Sequence, residues 1–183
     1  MRIRLPQGGM PDVSGAVVVC NHVAVLDCAM LSCACAPAQL TFLSEAGNAR
    51  GLIGLLTRAL GCVFVDTEHG LAGSRRMFDR LRETILAGGT VAVYPEGVRE
   101  QWRCGLATFR EGAFRLAQMC NAAVLPVVIA QTPVHHGLCR IMGGRPGLEV
   151  RVGELVHAGA GRTGEVIADL QHEVTEQMES LLA

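Results

Sequence analysis

Residues 16–30 read AVVVCNHVAVLDCAM, and this stretch decides how the chain folds. The β-branched run 16–20 predicts a buried strand, and the apolar run 24–35 predicts a helix that opens near Asp27. A carboxylate in the first turn of a helix is favoured by the helix dipole. His22 then lies in the short polar segment between the strand and the helix.

Short β-rich runs alternate with longer helical runs along the rest of the chain. The predicted strands are 16–20, 41–43, 62–66, 90–94, 123–130 and 148–156, the last as an edge strand. The predicted helices are 24–35, 49–60, 74–88, 109–120 and 164–182. This alternation is typical of an α/β fold with a mostly parallel central sheet flanked by helices. We predict a single domain over residues 1–183, ending in the amphipathic helix 164–182.

Charge and cysteine content narrow the functional classes. The net charge of −1 gives no indication of a nucleic-acid partner, and we expect none. The 8 cysteines form no CxxC pair and lie mostly in apolar runs, which is typical of free thiols in a reducing compartment, so we expect a cytoplasmic protein. No cluster has metal-ligand spacing, and no apolar run is long enough to cross a bilayer. The first ten residues lack the apolar core of a signal peptide.

His22 and Asp27 form the first candidate for chemistry. A carboxylate that accepts from one imidazole nitrogen leaves the other nitrogen free as a base, which suits deprotonation of a hydroxyl. The structural alternative is a carboxylate that merely complements the helix dipole, with a polar histidine at a strand end. The spacing of five residues does not by itself decide between them.

A second polar segment, YPEGVRE at 94–100, follows another predicted buried strand. Pro-Glu-Gly predicts a turn there, and the carboxyl ends of parallel strands meet at one edge of a sheet. Glu96 and Arg99 are therefore expected near His22. Gly97 would let the backbone approach a ligand, and the Arg99 fork suits an anion. The alternative is that Glu96 and Arg99 simply pair with each other.

Four segments, taken in order, resemble the sequence blocks of the glycerolipid acyltransferases, the 1-acylglycerol-3-phosphate acyltransferase family with its His-x4-Asp motif. They are NHVAVLD, GCVFVDT, YPEGVRE with FREGAFRLA, and LPVVIA. The resemblance spans about 16–155. It implies transfer of a fatty acyl group from acyl-CoA or acyl-carrier protein to a hydroxyl of a lysophospholipid-type acceptor, with no cofactor. It also implies that Asp27 orients His22 as general base, and that the substrate-binding residues are Asn21, Thr67, Glu96, Gly97 and Arg99.

The chain departs from the family at the residues that hold the acceptor's phosphate. Thr67 stands where the family usually has Arg, and Glu100 stands where it usually has Ser. We therefore predict that the acceptor is not ordinary lysophosphatidic acid, or that its phosphate is held differently, with Arg75 or Arg76 as substitutes. The alternatives are acyl transfer to a non-phosphorylated lipid alcohol, an acyl-thioesterase, or a non-catalytic lipid- or carrier-binding protein.

Family members often carry N-terminal hydrophobic helices that fix them to the membrane. Here the first strand is expected near residue 16, so no such helix is expected. Contact with the inner membrane surface as a peripheral protein is an alternative to a free cytoplasmic location. The apolar stripe of helix 49–60 is expected to pack on the sheet, with contact to a bilayer or an acyl chain as the alternative; its residues are Leu52, Ile53, Leu55 and Leu56.

Overall fold

The computed structural model describes residues 2–24, 26–45, 51, 54–55, 58, 62–65, 70–97, 105–132, 147–159 and 163–183. Its strands are β1 (Arg2–Arg4), β2 (Val17–Cys20), β3 (Leu40–Glu45), β4 (Cys62–Val65), β5 (Thr90–Val93), β6 (Val124–Thr132) and β7 (Gly147–Val152). Its helices are α1 (Asp27–Ala34), α2 (Gly70–Leu86), α3 (Gly112–Cys120) and α4 (Thr163–Leu182).

The described strands form one sheet in the order β1-β7-β6-β2-β5-β3-β4. Strand β2 lies at its centre and pairs in parallel with both β5 and β6. Strands β5, β3 and β4 continue the parallel arrangement. Strand β7 runs antiparallel to β6, and β1 runs parallel to β7. The predicted α/β fold with a mostly parallel sheet flanked by helices is confirmed.

Both faces of the central strands are buried, which explains their nearly continuous apolar sequence. Successive side chains of a strand point to opposite faces of the sheet. Val17 and Val19 pack on the side covered by α2, α3 and α4, whereas Val18 and Cys20 pack on the side covered by α1. The segments that follow β2 and β5 leave the sheet at the carboxyl edge of the parallel strands.

The first strand of the chain was missed, and the predicted edge position of strand 148–156 was wrong. Strand β1 pairs with β7 on its outer side, with Ile3 opposite Val150. All three β1 residues are exposed, so no apolar pattern marked them as a strand. An ion pair of 3.0 Å between Arg4 Nε and Glu149 Oε1 joins the two strands. Only the long-range pairing defines β1.

The predicted helices are present with shifted starts. Helix α1 begins at Asp27 rather than 24, α2 begins at Gly70 rather than 74, and α3 begins at Gly112 rather than 109. In the predicted helix 49–60 the described positions 51, 54, 55 and 58 are helical, and the others lie outside the described residues. Leu55 is 64% exposed, so the expected packing on the sheet is wrong at this position. No described helix has an apolar stretch of the length that a bilayer crossing needs.

Candidate active site

The carboxyl ends of β2 and β5 bring together two of the predicted polar segments. These strands are parallel neighbours, with Val19 opposite Val93. The segment after β2 carries His22, and the segment after β5 carries Glu96. The backbone N–H of His22 donates to Glu96 Oε2 at 3.4 Å. The sheet topology therefore places His22 and Glu96 in contact although they are 74 residues apart in sequence.

His22 and Asp27 are hydrogen-bonded through their side chains. The distance from His22 Nδ1 to Asp27 Oδ2 is 2.8 Å. The Asp27 carboxylate is fully buried, whereas the His22 side chain is 23% exposed. No described residue bonds His22 Nε2, so this nitrogen is the one available to a reacting group. An Asp that accepts from Nδ1–H holds the imidazole in the tautomer whose Nε2 carries a lone pair.

Backbone donors hold the Asp27 carboxylate in place. Oδ2 accepts the N–H of Val23 at 2.8 Å and the N–H of Ala24 at 2.9 Å, besides the His22 imidazole. These bonds form because Asp27 is the first residue of α1 and its side chain reaches back over the loop. Charge-assisted bonds of this kind, at a helix N-terminus, compensate the burial of a carboxylate. The same bonds keep the 22–24 segment out of the helix, which explains the late start of α1.

The Tyr94 ring packs against one face of the His22 imidazole. Its ring stacks on His22 with centroids 4.3 Å apart and an angle of 18° between the planes. The phenol hydroxyl donates to Cys28 Sγ at 3.5 Å, and Phe42 lies on the same aromatic column with a centroid distance of 6.5 Å to Tyr94. Burial raises the pKa of Tyr94, so the phenol stays neutral. Tyr94 thus restricts rotation of the His22 ring without adding charge.

Glu96 is buried and bonds the backbone with both of its carboxylate oxygens. Only 6% of the residue is exposed. Oε2 accepts from His22 N–H, and Oε1 accepts from Ala107 N–H at 3.1 Å. Glu96 therefore ties the loop of the candidate base to the 105–110 segment. Its role as a substrate ligand stays a prediction, and the geometry adds a positioning role.

Asn21 is likewise engaged by the backbone. Its amide nitrogen donates to the carbonyl of Ile129 at 3.2 Å, and its amide oxygen accepts the N–H of Ile129 at 2.7 Å. These two hydrogen bonds join the end of β2 to β6. An exposure of only 2% leaves Asn21 little access to a ligand. Its predicted role in substrate binding stays a prediction.

Gly97 lies directly against the guanidinium of Arg110. The glycine has a φ of +72°, and a Cβ added to it would lie 2.7 Å from Arg110 Nε and 2.8 Å from Cζ. The backbone N–H of Arg110 donates to Pro95 O at 2.9 Å, which fixes the segment beneath the side chain. Gly97 therefore serves both the turn after β5 and the close approach of a cation.

A comparison of Gly97→Ala with Gly105→Ala separates the backbone role of Gly97 in the turn from its role in the close approach of Arg110. Gly105 also has a positive φ, +90°, but a Cβ there meets nothing within 4 Å. We expect each variant to lose about 1–2 kcal/mol of unfolding free energy from the left-handed backbone. The Arg110 tip is flexible and moves aside, so the two losses should agree within about 0.5 kcal/mol. Urea denaturation measures both. A much larger loss in Gly97→Ala would mean that the guanidinium is rigidly held.

The remaining predicted site residues either lie outside the described residues or are exposed on α2. Thr67 and Arg99 lie outside the described residues, as does Glu100. Arg75 and Arg76 are exposed on α2. No group of His, Cys, Asp or Glu residues within the described ranges could hold a metal ion.

Sequence reasoning missed Tyr94 and Arg110. Tyr94 ends the predicted strand 90–94 and opens YPEGVRE, and nothing in a single sequence distinguishes a ring that stacks on a histidine from a ring in the core. Arg110 stands in FREGAFRLA, where a charged residue at a helix start suggests a solvated position. The one signal for Arg110 was that its segment follows YPEG closely in the sequence.

Comparison with known proteins finds a family model, a relative and a solved structure that agree with one another. The family model described as Acyltransferase matches residues 6–130. A lysophospholipid acyltransferase of Arabidopsis thaliana is 31% identical over 128 residues, and the match covers 65% of this chain but only 29% of that protein. The crystal structure of the 1-acyl-sn-glycerophosphate acyltransferase PlsC from Thermotoga maritima superposes with a TM-score of 0.66 at 20% identity, covering 100% of this chain and 73% of that one.

Proposed function

Since the chain belongs to the acyltransferase family, we propose that it transfers a fatty acyl group from a thioester to the hydroxyl of a lysophospholipid-type acceptor, with His22 as general base. The observation that carries the proposal is the 2.8 Å contact between His22 Nδ1 and the buried Asp27 Oδ2. The two relatives described above, by their names, act on lysophospholipids or acylglycerophosphate.

The reaction needs one proton acceptor and no covalent enzyme intermediate. His22 Nε2 takes the proton of the acceptor hydroxyl, and the oxygen attacks the thioester carbonyl carbon. The tetrahedral intermediate collapses, the C–S bond breaks, and the thiolate leaves with the proton from the imidazolium. Asp27 stabilises the imidazolium through Nδ1–H, and Tyr94 keeps the ring aligned. Acyl-CoA and acyl-carrier protein both supply the required thioester.

Because the proposed acceptor is a lipid, the proposal includes contact between the protein and a membrane surface. Leu26, adjacent to the candidate dyad, is 67% exposed, and Leu55 is 64% exposed. The exposed Leu26 next to Asp27 suits contact with an acyl chain or with the bilayer surface, and Leu55 adds a second exposed apolar side chain to the protein surface. We propose that the protein works as a peripheral protein at the cytoplasmic face of the membrane.

Release of thiol from the acyl donor tests the proposed function. We expect release from acyl-CoA or acyl-carrier protein to depend on an added lysophospholipid and to yield the diacylated product, detected by mass spectrometry. Monoacylglycerol as a parallel acceptor tests transfer to a non-phosphorylated alcohol. Release at the same rate without acceptor would indicate a thioesterase. No release with any donor and acceptor would refute acyl transfer.

A further inference from the structure

We propose that the face of the Tyr94 ring stabilises the protonated form of His22 during acyl transfer, in addition to aligning the imidazole. This assignment rests on the proposed role of His22 as general base. Tyr94 acts through His22, so it is a positioning residue rather than a catalytic one. The interaction is the attraction between the positive charge of an imidazolium and the negative face of a neutral aromatic ring.

The two rings have the geometry that this attraction requires. Their centroids are 4.3 Å apart and their planes differ by 18°, so His22 and Tyr94 stack face to face. A cation over the face of an aromatic ring is attracted when it lies within about 6 Å of the centroid. A neutral imidazole gains less, because it carries no net charge. The stack therefore favours the state that forms when Nε2 takes the hydroxyl proton.

Several titratable or charged groups surround the imidazole in the described part of the chain. They are Asp27 and Cys28 of α1, Cys20 of β2, Tyr94 and Glu96 after β5, and Arg110, which packs on the turn at Gly97. Burial raises the pKa of Cys20, Cys28 and Tyr94, so these three groups stay neutral. Replacing the Tyr94 ring leaves every formal charge around His22 unchanged, so an effect on its titration reports the ring itself.

The Tyr94 ring is held in place from three sides. Phe42 lies 6.5 Å away, centroid to centroid, with 15° between the ring planes. The Tyr94 hydroxyl donates to Cys28 Sγ at 3.5 Å, and the Tyr94 carbonyl accepts the N–H of Gly97 at 3.1 Å. A group fixed in this way needs no reorganisation when the charge develops on the imidazole, which is the condition for electrostatic stabilisation of a transition state.

The alternative is that the ring only fills space beside the imidazole. Removing it would then loosen the packing and admit water, which favours the charged imidazolium and moves the titration of His22 to higher pH. Loss of the aromatic face acts in the opposite direction, because the imidazolium is less stable without it and the titration moves to lower pH. The sign of the change therefore distinguishes the two roles.

The kinetic test compares wild type with Tyr94→Phe, which keeps the ring, and Tyr94→Leu, which removes it. Phe114→Leu is the control, since it removes a fully buried ring from the core on the other face of the sheet. We expect Tyr94→Leu to lower kcat about 5- to 30-fold and to change KM less than about threefold. Tyr94→Phe and Phe114→Leu should keep at least about a third of wild-type kcat. If Tyr94→Leu does not fold, Tyr94→Met takes its place, because its flexible side chain fills irregular gaps.

An NMR titration of the His22 ring proton on Cε1, assigned by its absence in His22→Ala, measures protonation in the free protein. We expect the midpoint in Tyr94→Leu to lie about 0.5–1.5 pH units below that of wild type. The midpoints of Tyr94→Phe and Phe114→Leu should stay within about 0.3 units of wild type. This titration needs no turnover, so it decides whether the ring stabilises the imidazolium even if acyl transfer is not found.

An unchanged or higher midpoint in Tyr94→Leu would overturn the assignment, and so would a wild-type kcat in that variant. A loss of kcat in Tyr94→Phe as large as in Tyr94→Leu would also overturn it, because the hydroxyl and not the ring would then be responsible. Absence of acyl transfer in the wild-type protein, with the midpoint of Tyr94→Leu lowered as expected, would refute the proposed function but support the interaction between the ring and the imidazolium.

Discussion

We expect His22→Ala to lower kcat for acyl transfer by roughly 10²–10⁴-fold. The variant removes Nε2, the nitrogen proposed to take the hydroxyl proton, while the backbone N–H that bonds Glu96 remains. The steady-state rate of product formation with saturating donor and acceptor measures the effect. The fold should persist, since the loss of the Tyr94 stack and of one hydrogen bond costs about 1–3 kcal/mol.

His172→Ala provides the control for the loss of a histidine. His172 lies on α4, is exposed, and pairs with Glu176 at i,i+4, with 3.3 Å between Nε2 and Oε1. We expect wild-type kcat in this variant. A His22→Ala protein that keeps its melting temperature and more than half of wild-type kcat would exclude His22 as the base.

Asp27→Asn is expected to have the second largest effect, a fall in kcat of roughly 10²–10⁴-fold with most of the stability retained. The asparagine oxygen can still accept from Val23 and Ala24, but it no longer carries the charge that stabilises the imidazolium. The amide nitrogen would take the place of Oδ1, which is buried and has no described hydrogen-bond partner. Measurement of kcat and KM distinguishes loss of catalysis from loss of substrate binding. A loss of imidazolium stabilisation lowers kcat.

Asp27→Ala extends the same test to stability. The buried N–H groups of Val23 and Ala24 then lose their acceptor, and we expect a loss of about 2–5 kcal/mol in the free energy of unfolding. Urea denaturation of both variants measures it. An Asp27→Asn protein with wild-type kcat would show that the carboxylate only supports the loop.

Contacts that hydrophobic periodicity does not contain account for several departures of the structure from sequence-based expectation. Strand β1 has no apolar pattern and exists through its pairing with β7, so periodicity could not reveal it. The start of α1 is set by the bonds from Asp27 to the preceding loop, which a propensity pattern does not contain. The exposure of Leu55 likewise depends on what covers its helix.

For the candidate site, too, some features could be predicted from the sequence and others could not. The types of chemistry could be predicted from local sequence, because His22, Asp27 and Glu96 each follow or begin an element whose pattern is strong. Their individual roles could not. From the sequence, Glu96 and Asn21 are predicted to bind substrate. In the structure, each side chain forms hydrogen bonds with backbone groups that are distant in sequence.

The sequence by itself determined the α/β class, the succession of buried strands along the chain and the candidate histidine and carboxylate at one strand end. These follow from periodicity, turn residues and helix-start chemistry, which act within about ten residues of chain. Only the tertiary structure decided that Tyr94 stacks on His22, that Glu96 joins the base loop to the 105–110 segment, and that Arg110 packs on Gly97. The physical reason is that these contacts depend on the parallel alignment of β2 with β5, and strand neighbours are chosen by packing over the whole sheet rather than by local sequence.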